Sequence, residues 1–261
     1  MLVASMKTTI AIFSILLLAV VVTAQTTNDL SDAEIQGQKL AHQLFEMQPA
    51  QNSTNTGVMK VENAKNESHE ISVRFITKVR STNWVSLFEA IDAKDNTQDK
   101  LGVIHWPSLT NSYAVAHWCQ PGMTFAELDL CRLGWITDEE DKMVPFCESD
   151  FCAADLGLEF FHWPEQKILK KENRRSRACE VLESTNPNPS ANGYSRVVSW
   201  IDEESGGIVH AEAYDAQNKL LKVFDPKSFK KVNGQWELQD MEIRNVQTGS
   251  RSRIEFDLKK Q

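Results

Sequence analysis

Three of the six histidines, His105, His117 and His162, are each followed by a tryptophan. An imidazole against an indole wall could move a proton in a sheltered site. A sheet or loop histidine beside a packed ring explains the same dipeptide without catalysis. The pair Glu139-Glu140 could form an acid–base dyad, but it sits in an acidic run that suits a solvated turn. There is no GxSxG elbow, no HExxH helix and no glycine-rich phosphate loop. No enzyme is therefore expected. Five cysteines remain: Cys119, Cys131, Cys147, Cys152 and Cys179. Cys147 and Cys152 are close enough to pair across a turn, and Cys119 and Cys131 could close a loop. Cys179 would then be a buried small hydrophobe. Pairing cannot be read from spacing alone. A metal reading starts from His117, Cys119 and Cys131, which lack the short paired spacings of a structural zinc site, so no metal is expected.

Two surface signals have plain alternatives. The basic run Lys170, Lys171, Arg174, Arg175 and Arg177 could meet an anionic headgroup, or could guard a strand edge. Asn52-Ser53-Thr54 and Asn66-Glu67-Ser68 match glycosylation sequons, which matter only in a eukaryotic secretory route.

The aromatic residues are the larger signal. Among 261 residues there are 7 Trp and 12 Phe but only 3 Tyr. The candidates for an apolar wall are Phe75, Trp84, Phe88, Trp106, Phe160, Phe161, Trp163, Trp200, Phe224 and Trp236. A wall of rings can be a packed core, or it can line a hollow that holds an apolar ligand. The rest of the composition is ordinary for a globular chain, with 41% hydrophobic and 25% charged residues. A net charge of −8 argues against a nucleic-acid partner, which needs a clustered basic face.

The elements that must position these rings follow from periodicity. Residues 1–24 read as a secretory signal peptide: Lys7, an apolar run over 10–22, and small residues ending at Ala24, where cleavage is expected. The run is short for a membrane span. The chain from residue 25 to 261 is then one exported domain. Ser31 and Glu34 form a capping box for an amphipathic helix over 32–47, which Gly37 weakens. Residues 49–57 read as a polar loop. Strands follow over 71–79, 84–91, 101–106 and 113–118. Residues 119–165 read as loops, with one short helix capped by Ser149 or Asp150 and running to about His162. Beyond it, strand-like runs lie at 166–171, 177–184, 194–201, 208–214, 219–224, 236–244 and 251–258, separated by turn signals. Short strands with short turns imply an antiparallel meander. The fold class is therefore α+β, a curved and mostly antiparallel sheet covered by an N-terminal helix and a loop-helix insert.

The segments GYSRVVSWID (193–202), IVHAEAYDAQNKLLKVFDPKSFKKVNGQWELQDMEIRN (208–245) and TGSRSRIEFDL (248–258) resemble the bacterial outer-membrane lipoprotein-sorting proteins of the LolA/LolB-like group. SDFCAADLGLEFFHWPEQ (149–166) and NSTNTGVMKV (52–61) resemble the same group. The resemblance spans about residues 30–258 and rests on fold signatures without catalytic residues. It implies an open half-barrel closed by helices and working in the periplasm. Its cargo would be an acylated lipoprotein or lipid. The partners it implies are an inner-membrane export complex and an outer-membrane receptor, with the carrier itself a monomer. A second reading keeps the same fold but fills the hollow with the chain's own rings, as an envelope sensor or interaction protein.

Overall fold

The computed structural model describes residues 30–92, 97–116, 134–232 and 235–258. The expected signal peptide, and Cys119 and Cys131, lie outside the described residues. The first element is α1 (Asp32–Phe45). Its capping box is formed as the sequence predicts. The Ser31 amide donates to the Glu34 carboxylate at 2.7 Å, and the Glu34 amide donates back to the Ser31 hydroxyl at 3.4 Å. No helix among the described residues is long and apolar enough to cross a membrane.

Thirteen strands form one sheet. In chain order they are β1 (Ser53–Glu62), β2 (Ser68–Val79), β3 (Trp84–Asp92), β4 (Thr97–His105), β5 (Ser112–Ala116), β6 (Gly134–Ile136), β7 (Glu165–Arg174), β8 (Arg177–Thr185), β9 (Tyr194–Asp202), β10 (Ile208–Asp215), β11 (Leu220–Val232), β12 (Gln235–Asn245) and β13 (Arg251–Phe256). Neighbours in the sheet run β6-β5-β4-β3-β2-β1-β13-β12-β11-β10-β9-β8-β7. Every pairing is antiparallel, and the one non-sequential pairing joins β1 to β13. The sheet is curved and unclosed, an open half-barrel.

Four sequence expectations need correction. The polar loop ends early, because β1 begins at Ser53 and its first residues pair with β2 out to Thr77. The helix expected over 149–162 is instead α2 (Ala153–Leu156), flanked by single 3-10 turns at Phe146–Glu148 and Glu159–His162. Its cap is Cys152, whose thiol and amide both donate to the Asp155 carboxylate at 3.0 Å. The strand expected to end at Phe224 continues to Val232 as β11. Pro226, which cannot serve a regular ladder, sits where the β11–β12 register shifts. Gly37 does more than weaken α1. A Cβ there would lie 2.5 Å from the Lys167 backbone nitrogen, so glycine lets the helix touch β7.

One face of the sheet carries two apolar clusters. The first gathers Met59, Ile71, Val73, Phe88, Met241 and Ile254 with Phe146 and Phe151. The second gathers Ala41 of α1, Leu182, Val197, Ala211 and Ala213 with Phe160 and Phe161. A smaller cluster, with Val198, Trp200 and Val209, lies on the opposite face of β9 and β10.

Candidate functional site

The two large clusters do not fully meet. Between them is a cavity of about 220 Å³, with a wall built almost entirely from hydrocarbon. Phe75 of β2 and Phe88 of β3 form one side. Val197 of β9, Ala211 and Ala213 of β10, and Phe224 of β11 form the other. These strands are far apart in sheet order, so only curvature brings them to one space. Phe151, Leu156 and Phe160 close it from the α2 region.

A wider groove of about 700 Å³ adjoins the cavity and shares Leu158, Ile208 and Phe224 with it. Leu44 and Met47, at the end of α1, and Phe161 line this groove together with the polar Arg177, Asp202 and Ser205. Met47, Leu158 and Phe229 are exposed along it. Leu158 has φ +50°, a left-handed conformation that leucine rarely adopts. Backbone strain of this kind concentrates where a structure needs it for function. Here it holds the side chain on the partition between groove and cavity.

The sequence-predicted rings divide by residue type. Phe75, Phe88, Phe160 and Phe224 line the cavity, and Phe161 lines the groove. The four tryptophans among them whose side chains are described do not. Trp84 stacks on His105 at 4.8 Å, away from the hollow. Trp106 donates its indole N–H to Ser112 at 3.3 Å. Trp163 packs against the second cluster, 6.4 Å from Phe160. Trp200 lies on the opposite face, with its N–H donated to Glu172 and Arg174 stacked over it at 4.6 Å. Trp236 lies in β12, and its side chain is outside the described residues. An indole N–H needs a polar partner when buried, whereas a phenyl ring leaves a dry wall dry.

The disulfide expected between Cys147 and Cys152 is not formed, because Cys152 is a free thiol. Its sulfur is committed to Asp155, with the Tyr194 hydroxyl 3.7 Å away. Burial, reinforced by the Asp155 carboxylate, pushes this thiol up to about 12, so it stays protonated.

Two charged residues of the cavity wall escaped the sequence reading: Lys222 of β11 and Asp155 of α2. Both line the cavity, and the ammonium lies 2.9 Å from the carboxylate. Asp155 also accepts from the Tyr194 hydroxyl at 2.7 Å. Burial alone would lower the Lys222 pKa, but the Asp155 carboxylate holds it above the usual lysine range. No local sequence signal joins positions 67 residues apart, so only the fold reveals this pair.

Of the histidine–tryptophan pairs, that of His117 lies outside the described residues. His105 contacts Trp84 and Ser86, and His162 stacks on Phe45 at 4.6 Å. Among the described residues no group of three or more His, Cys, Asp or Glu is placed to hold a metal ion.

Comparison with known proteins places the fold. A DUF1329 family protein from Desulfovibrio piger is 21% identical, with 87% of this chain and 92% of that one covered and a TM-score of 0.68. A proposed outer membrane lipoprotein-sorting protein domain from Vibrio parahaemolyticus is 22% identical, with 86% and 91% covered and a TM-score of 0.67. A LolA superfamily protein from Nitrosomonas europaea is 13% identical, with 87% and 93% covered and a TM-score of 0.56. A family model described only as "Uncharacterized protein" matches residues 132–260. No curated protein matches the sequence. The half-barrel that the sequence resemblance implies is thus the fold this chain shares with DUF1329 and LolA superfamily structures.

Proposed function

We propose that this protein is an exported carrier. It would shield an acyl chain of a lipoprotein or other lipid in its hollow and move it from the inner towards the outer membrane. The observation that carries this reading is an apolar cavity of about 220 Å³ beside an open groove of about 700 Å³. In an apolar cavity each methylene removed from water contributes about 0.8 kcal/mol. An acyl chain therefore binds by length, with few polar contacts. The adjoining groove leaves room for the rest of the chain. The shared fold with an outer membrane lipoprotein-sorting protein domain supports the same reading.

The remaining parts of the reading follow from it. Residues 1–24 would direct export and be removed near Ala24, leaving residues 25–261 as the carrier domain in the periplasm. The carrier would be a monomer without cofactor or catalytic activity, loaded by an inner-membrane export complex and emptied by an outer-membrane receptor. Part of the concave face is filled by its own rings, for Phe75 packs edge-on against Phe88 and Phe256 at 4.7 and 5.1 Å. The space left open favours a carrier over a self-filled sensor.

The test is to purify the mature protein, extract it for co-purified lipid, and measure displacement of a fluorescent fatty-acyl probe. Bound acyl lipid and saturable displacement are expected. A lipid-free protein with no saturable binding would overturn the proposal.

A further inference from the structure

We infer that the Lys222–Asp155 pair makes the hollow select uncharged acyl compounds, such as fatty esters and amides, over free fatty-acid carboxylates. This rests on the acyl-binding reading and deepens it. Lys222 and Asp155 are the charged side chains of the cavity lining, and both are largely buried. A lysine at the wall of an apolar hollow would ordinarily invite a carboxylate. Here the ammonium is already matched by Asp155 at 2.9 Å.

The match is more than neutral. Asp150, fixed by the hydroxyls of Ser250 and Ser252 at 2.6 and 2.8 Å, also acts on Lys222. Asp155 is the carboxylate in contact with the ammonium, and Asp150 adds negative charge beyond ion-pair distance. The Asp155 oxygens are occupied by Lys222, Tyr194 and the Cys152 amide and thiol, so the pair is held from several elements at once. A ligand carboxylate would be a third anion, carried out of water with no unmatched cation to meet it. An ester or amide carbonyl adds no charge. It needs only one hydrogen bond, and an ammonium has three N–H donors, here with one carboxylate and the weak Cys152 acceptor at 3.7 Å as their partners.

The test measures displacement of N-phenyl-1-naphthylamine, an uncharged apolar fluorophore, by decanoate and by methyl decanoate at pH 8. The readout is the ratio of the two displacement constants in the full mature chain. Since an ester is intrinsically the more apolar compound, the decisive comparison is between wild type and variants. Asp155→Asn leaves Lys222 short of its anion, and decanoate should gain at least tenfold relative to the ester. Lys222→Met leaves the carboxylates without their cation, and decanoate should lose at least threefold relative to the ester. It serves where Asp155→Asn does not fold. A ratio that stays constant in the folded variants overturns the inference while leaving acyl binding intact. Failure of both compounds to displace the probe from wild type overturns the carrier reading itself, and this inference with it.

Discussion

Replacing Ala211 with phenylalanine should block the hollow from within. Ala211 lies on the concave face of β10, beside Phe224 and Ser199, and is lodged in the cavity wall. An apolar cavity of about 150 Å³ accommodates one six-carbon ring. By that proportion about 220 Å³ takes about nine carbons. The new ring would occupy the place of about six of them. At about 0.8 kcal/mol per methylene, the lost binding is about 5 kcal/mol, or on the order of 10³-fold in Kd. Filling empty space should also help the fold. At roughly 24 cal/mol per Å³ the gain is up to about 3 kcal/mol. Probe displacement measures the first effect and thermal unfolding the second. A folded Ala211→Phe protein that binds a fatty ester as tightly as wild type would refute the assignment of this cavity as the binding site. A variant that binds weakly but melts far lower would instead show that the space was never free.

Three further outcomes separate structural roles from binding roles. Trp200→Phe should leave ester affinity unchanged within twofold, yet lower stability by roughly 1–3 kcal/mol in urea unfolding, because it loses the hydrogen bond to Glu172 on the outer face. Gly37→Ala should destabilise by roughly 1–3 kcal/mol, since its Cβ meets the β7 backbone; helix propensity alone predicts a gain of about 1 kcal/mol, so chemical denaturation gives opposite signs for the two ideas. Burial, with the nearby His162 charge adding to it, lowers His105 to about 4 against an ordinary 6.5. The unfolded chain therefore takes up this proton first. Stability should be whole above pH 6.5 and fall by at most about 3 kcal/mol as pH drops to 4. His105→Gln should flatten that part of a stability–pH curve, and an unchanged slope would place the titrating group elsewhere.

The C-terminal meander was legible because its strands obey local rules. Ile254 and Phe256 alternate with Arg253 and Glu255, and the alternation is the burial pattern of β13. The Ser31–Glu34 cap was equally local. What failed was non-local or irregular. A register shift in β10 lets Ile208 and Ala211 both line the hollow, although strict period two would put them on opposite faces. Arg175 and Ser176 both take positive φ in the β7–β8 turn without the Asn-Gly signature that would announce it. Phenylalanine and tryptophan look alike in a hydrophobic pattern, yet the indole N–H of Trp200 finds its partner on the outer face. Lys222 reads as one of many surface lysines until Asp155 is folded against it.

The most direct test of acyl binding is a crystal structure of the protein loaded with an ω-bromo fatty acid methyl ester, read by bromine anomalous scattering. The predicted result is density for the carbonyl end in the cavity beside Lys222, among Phe75, Phe160 and Phe224, and a single strong bromine peak where the chain has run past Leu158 into the groove. An empty cavity, or bromine held only on the outer face, would contradict the carrier reading.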